Sequence, residues 1–176
     1  VCSSDLDLRS QAAGRHRASQ AYGITERLQE AVSRHGERDL LRYGEQRWTY
    51  AQVQAQVNQT TRALRAWGVQ RGDVVGLCLE NRPAFFFAWL ALARLGAVAA
   101  FLNTNVGGRP LAHALQATGA RSVIVGEECL ALFDTLDQKP TLWLWPDEEK
   151  PATPAQRAGC AADLQAASAQ QSKDDT

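Results

Sequence analysis

At 176 residues the chain has the size of one ordinary domain, and its 45% apolar and 22% charged composition is that of a globular protein with a real core, not of a disordered or membrane-embedded one. Nineteen basic residues balance nineteen acidic ones, so no net field draws the chain to nucleic-acid phosphates or anionic lipid. A cytosolic location is the expectation, and nucleic acid is not an expected partner.

Residues 1–22 are polar, carry arginines throughout and lack the apolar core of a signal peptide. They read as a flexible arm. A helix is expected from Thr25 as N-cap, with Leu28, Ala31 and Val32 on one face and Gly36 just past its end. Leu40–Tyr43 and Gln46–Trp48 flank Gly44-Glu45 and predict a short hairpin. Thr49-Tyr50-Ala51-Gln52 has the capping-box form, and Val53, Val57, Thr60, Leu64 and Trp67 recur as one buried helical stripe that Gly68 ends.

The run Val74–Leu79 is apolar on both faces, as a strand covered from each side must be. Pro83 opens the next helix, where its missing N–H is harmless. The stretch from Ala84 to Leu102 is about long enough to span a bilayer. Arg94 and Gly96 divide it instead into a helix and a buried strand, Ala97–Leu102. A helix over Pro110–Thr118, a strand over Ser122–Val125, a helix over Glu128–Leu136 and a strand over Thr141–Trp145 follow. Strands alternating with helices at this spacing predict an α/β fold, a parallel sheet flanked by helices with a short N-terminal hairpin. From Pro146 the apolar periodicity stops, so the expected organisation is an arm over 1–22, an α/β subdomain over 23–145 and a linker or disordered end over 146–176.

Chemistry is sparse. Cys2, Cys78, Cys129 and Cys160 form no C-x-x-C pair and read as reduced thiols, with Cys78 a small core residue. His16, His35 and His113 have no carboxylate or cysteine in a recognisable pattern around them. Neither G-x-G-x-x-G nor G-x-x-x-x-G-K-[ST] occurs, so nucleotide binding does not follow from the fold. Asn58-Gln59-Thr60 matches a glycosylation pattern but lies mid-helix and reads as coincidence. Ligands of such sheets sit beyond the carboxyl ends of the strands. Two polar clusters are expected there, Glu80-Asn81-Arg82 and Asn103-Thr104-Asn105, and ordinary turns or caps are the simpler reading of both.

Four passages carry a family likeness: HGERDLLRYGEQRWTYAQV from His35, GVQRGDVVGLCLENRPAFFFAWLALARLGAV from Gly68, AFLNTNVGGRPLAHALQATGAR from Ala100 and SVIVGEE from Ser122. Their general pattern of strand, W-T-Y, helix, G-D-V and apolar strand resembles adenylate-forming enzymes as a superfamily. Asn103-Thr104-Asn105 followed by L-x-H-x-L narrows the resemblance to long-chain and very-long-chain fatty-acyl-CoA synthetases of the fatty acid transport protein group. The resemblance implies an AMP-forming ligase in which a fatty acid carboxylate attacks the α-phosphate of ATP and coenzyme A then displaces AMP, with Mg2+ as cofactor. It also implies that the chain is an incomplete N-terminal subdomain, because the family's Ser/Thr/Gly-rich phosphate loop ending in Pro-Lys, its ribose-binding acid and its C-terminal lysine have no counterpart in this sequence. A chain that starts at Val1 and contains no methionine reads the same way. No catalytic, cofactor-binding or metal-binding residue is therefore carried over. Asn103, Thr104 and Asn105 are the candidates for the substrate side. ATP, Mg2+ and CoA are expected of the intact parent only, together with the fatty acid substrate, the remainder of the same enzyme as partner, and an open question of peripheral membrane association. A non-catalytic α/β interaction module, or an adenylating enzyme for another carboxylic acid, are the competing readings.

Overall fold

The computed structural model describes residues 23–147 and 153–174. The expected arm over 1–22, with Cys2 and His16, lies outside the described residues. Helix α1 spans Ile24–His35. Its N-cap is Gly23, not Thr25, because the Thr25 hydroxyl donates to the Glu26 carboxylate, which also accepts the Gly23 N–H at 2.7 Å. Strands β1 (Asp39–Tyr43) and β2 (Gln46–Thr49) pair antiparallel as the expected hairpin. Helix α2 (Tyr50–Ala66) starts on the predicted capping box, with Thr49 Oγ1 accepting the Gln52 N–H and the Gln52 side chain accepting the Thr49 N–H. It ends where Gly68 takes the left-handed conformation, φ +90°.

Five strands then form one parallel sheet in the order β4-β3-β5-β6-β7. They are β3 (Val74–Cys78), β4 (Val98–Phe101), β5 (Ser122–Gly126), β6 (Thr141–Trp145) and β7 (Ala162–Asp163). Helix α3 (Pro83–Leu95) joins β3 to β4 and closes on left-handed Gly96, so the long apolar run is a helix and a strand. Among the described residues no helix is long and apolar enough to cross a membrane. Helix α4 (Gly108–Thr118) joins β4 to β5.

Alternation along the strands builds two cores. Val75 and Leu77 of β3, Ile124 of β5 and Trp143 and Trp145 of β6 face α1, α2 and α3, while Cys78, Val123, Val125, Leu142 and Leu144 face the opposite side with Leu111 and Leu115 of α4. The fold is α/β, a parallel sheet flanked by helices, as the strand and helix periodicities require.

Two segments differ from the expectation. The helix expected over Glu128–Leu136 is a 3-10 helix over Glu127–Phe133. Its three-residue period stacks Glu127, Leu130 and Phe133 on one buried line, which a 3.6-residue turn would scatter. The expected linker or disordered end over 146–176 holds, within its described part, α5 (Pro154–Ala158), β7 and α6 (Leu164–Ala169). Leu164 is fully buried in the first core, and Asp163 caps α6 by accepting the Ala166 N–H at 2.8 Å. One leucine and one cap leave no periodicity to read, although they are enough to seat a two-turn helix against a sheet edge.

Candidate functional site at the carboxyl edge

Strand order locates the crevice. The chain runs from β3 to β4 on one side, then returns across β3 to β5 and continues to β6, so the order reverses between β3 and β5. The segment after β3 rises into α3 on one face, and the segment after β5 enters the 3-10 helix on the other. In open parallel sheets this switch point is where ligands bind.

An internal ion pair occupies it. Arg82, following β3, meets Glu128, following β5: Nε donates to Oε1 at 3.2 Å and Nη2 to Oε2 at 3.1 Å, a two-pronged arrangement. The same guanidinium donates to the carbonyls of Trp145 at 2.9 Å and Pro146 at 3.0 Å, past the end of β6, and its Nε lies 3.8 Å from the Asp147 carboxylate. Glu128 Oε1 also accepts the Glu80 N–H at 2.9 Å. The pair is nearly dry, with 10% of the Arg82 side chain and 2% of the Glu128 side chain exposed. Arg82 therefore ties together the ends of β3, β5 and β6. Gly126 is part of the device, since a Cβ there would run into the Glu128 carboxylate. Beside it, the buried Glu127 carboxylate accepts the Asp147 N–H at 2.7 Å and pairs with Arg157 of α5.

The sequence placed Arg82 at this edge but contained no cue that Glu127, Glu128, Asp147 and Arg157 converge on it. A Glu-Glu pair directly after an oily strand says only that a carboxylate buried there needs some cation, without marking which. The other expected cluster stays apart. Asn103 and Asn105 are exposed after the outer strand β4, Thr104 is half-buried, and the Asn103 side chain accepts the Asn105 N–H at 2.8 Å in a local turn. The hydrogen bonds of Arg82 and Glu128 go to each other and to Glu80, Trp145 and Pro146, not to this turn.

A cavity of 370 Å³ opens next to the clamp, walled by Tyr43, Trp48, Phe87, Trp145 and Asp147. A larger one, 630 Å³, lies at the amino end of the sheet among Leu115, Arg121, Leu136 and Pro140, away from the switch point. Cys78 and Cys129 are both buried beneath the clamp. The neighbouring Cys78 thiol, and then burial, push the Cys129 thiol far above the ordinary cysteine range, so Cys129 is not a poised nucleophile. Burial, with Glu127 and Asp163 nearby, also raises the Cys160 thiol.

The donor set here does not fit a nucleoside triphosphate or its magnesium. The guanidinium at the crevice is committed to a carboxylate and two carbonyls, no glycine loop precedes α3, and no group of three or more His, Cys, Asp or Glu among the described residues is arranged to hold a metal ion.

The family model described as AMP-binding enzyme matches residues 28–176. The chain belongs to the AMP-binding enzyme family. Residues of this family member are 44% identical over 84 positions to human long-chain fatty acid transport protein 1, a match covering 48% of this chain and 13% of that protein. They are 37% identical over 104 positions to the medium/long-chain-fatty-acid–CoA ligase FadD6 of Mycobacterium tuberculosis, covering 59% of this chain and 17% of the ligase. The matched region is thus a small part of these curated relatives. Among solved structures, an anthranilate CoA ligase bound to anthranoyl-AMP aligns with TM-score 0.72 at 21% identity, over 87% of this chain and 28% of that one. The N-terminal domain of FACL13 from M. tuberculosis aligns with TM-score 0.68 at 22% identity, over 87% of this chain and 37% of that one. These likenesses establish the fold: the chain is the N-terminal portion of the adenylate-forming architecture.

Proposed function

We propose that the chain is the N-terminal part of an AMP-forming fatty acid–CoA ligase, in which ATP, a fatty acid and CoA give acyl-CoA, AMP and diphosphate. The observation that carries this reading is the identity of 37–44% to fatty acid transport protein 1 and a fatty acid–CoA ligase, spanning about half the chain or more. Within that enzyme this region supplies scaffold. A carboxylate must be given a good leaving group before a thiol can attack it, and charge moving onto phosphate oxygens needs amide donors, cations and Mg2+ held in place. The Arg82–Glu128 clamp offers none of these, which supports a segment that is inert alone and depends on nucleotide-handling residues encoded elsewhere in the parent. The turn Asn103-Thr104-Asn105, at the end of the exposed strand β4, lines the substrate side in this reading.

The test has two arms. Exchange of pyrophosphate into ATP by the parent enzyme is expected to depend on added fatty acid and to be strongest with medium or long chains, and the 176-residue chain alone is expected to show none. Exchange by the isolated chain would place the machinery within it, and a parent that prefers aryl or short-chain acids would overturn the fatty acid assignment.

A further inference from the structure

The Asn58-Gln59-Thr60 stretch has a use in the fold that its glycosylation pattern hides. Asn58 is only 2% and Gln59 only 7% exposed on α2. Their amides face the outgoing end of the chain. Asn58 Nδ2 donates to the Lys173 carbonyl at 2.9 Å, Gln59 Nε2 to the Gln171 carbonyl at 2.9 Å and the Arg62 guanidinium to the Asp174 carbonyl at 3.3 Å. All three acceptors are peptide carbonyls, and none is a side chain. One further atom matters: Asn58 Oδ1 is buried with no hydrogen-bond partner among the described residues. A carboxamide carries donors and an acceptor side by side, as a peptide group does. With 171–174 in place the Asn58 donor is met by a main-chain carbonyl, while its buried acceptor is met by no described residue.

We propose that Asn58, Gln59 and Arg62 form a docking strip on α2 that captures main chain by its peptide groups, independently of side-chain identity, and that its occupant is the chain's own segment 171–174. The strip fixes the point at which the polypeptide leaves α6 and crosses back over α2. Under the ligase reading, the connection to the nucleotide-handling residues departs from there, which makes these three positioning residues. That last step rests on the proposed function, whereas the docking itself does not.

Backbone amide exchange of the 176-residue chain, without substrate, tests the docking. In the unmutated chain, the anchored carbonyls are expected to hold the segment's own bonds closed, Gln171 N–H to the Ser168 carbonyl and Asp174 N–H to the Ser172 hydroxyl, so that amides 171 and 174 exchange at least about tenfold more slowly than in a free peptide. Asn58→Asp and Gln59→Glu, which remove the donors at nearly constant size, are expected to speed that exchange about tenfold while amides of β5 stay protected. Gln171→Ala and Lys173→Ala are expected to change nothing, since only carbonyls are read. Free-peptide exchange of amides 171 and 174 in the unmutated chain would overturn the proposal, as would indifference to both donor substitutions. Loosening by Lys173→Ala equal to that by Gln59→Glu would do the same. If Asn58→Asp also deprotects β5, Gln59→Glu and the two alanine variants decide. A parent that failed the pyrophosphate exchange test would leave this pattern unchanged, so the two failures are distinguishable.

Discussion

The two edges of the sheet are finished in different ways. At the β7 edge, α6 seats Leu164 in the core, Asp163 caps the helix, and α2 holds the segment beyond it by three main-chain carbonyls. At the β4 edge nothing comparable is present among the described residues: Val98 is 53% and Phe101 58% exposed, with Phe101 resting on Phe85 and Trp89 at ring distances of 5.4 and 6.1 Å. An open apolar edge is an invitation to pairing. The contrast separates what stabilises this region from what prepares it to be covered by something else, and under the ligase reading that cover is the rest of the enzyme.

The comparison breaks first at the clamp, which lies between the edges. Arg82→Ala leaves the Glu128 carboxylate buried without its cation, and removing one partner of such a pair costs about 3–5 kcal/mol. The expected result is a large drop in the urea midpoint. Replacing both partners by apolar residues of similar size is expected to recover part of the loss, because the uncompensated charge is then gone. Next in size is Leu164→Ala at the finished edge. Deleting a fully buried leucine costs about 2–5 kcal/mol, so α6 should detach or the whole chain should weaken by that amount in the same titration. An urea midpoint unaffected by Leu164→Ala would mean that the β7 edge is as open as the β4 edge.

How much of this could be read beforehand depends on the kind of interaction. Val75, Leu77, Val123 and Val125 announce a strand covered on both faces because hydrophobic burial is written in the residues themselves, and Thr49 with Gln52 announces a helix start because both partners lie within one turn. Arg82 and Glu128 are 46 residues apart, and Asn58 and Lys173 are 115 apart. Neither pairing leaves a local trace, since a polar residue carries no mark of its distant partner. Residues 153–174 depart from the expected linker for the same reason: their order comes from one leucine, one cap and bonds donated by another helix. The Asn103-Thr104-Asn105 turn is legible as a polar cluster after a strand, and its hydrogen bond is local to the turn.

At the open edge the expected stability change is small and the solubility change is not. Phe101→Lys removes ring contacts with Phe85 and Trp89, which are worth roughly 0.5–1.5 kcal/mol where rings are well packed and less at this exposure. A charge on an edge strand also discourages edge-to-edge pairing. The chain carrying Phe101→Lys is expected to stay monodisperse in light scattering at concentrations where the unmodified chain associates. Equal behaviour of the two would remove β4 as the site of association.

The smallest effect serves as a control remote from both edges. Glu26, fully exposed at the start of α1, has its carboxyl held below the ordinary glutamate range by its own backbone N–H first, then by the Gly23 N–H and the Thr25 hydroxyl. A carboxyl whose pKa is lower folded than unfolded contributes stability that is complete above the unfolded value and is lost as pH falls through the folded value. The first turn of α1 is therefore expected to loosen on acidification below the usual glutamate range, seen as faster amide exchange at residues 24–27. Glu26→Gln, which can still accept the bond but does not titrate, should remove that pH dependence while leaving the clamp and the 171–174 strap as they are. A pH response that survives Glu26→Gln would assign the loosening to other carboxylates, and the carboxylates of the clamp would be the first to examine.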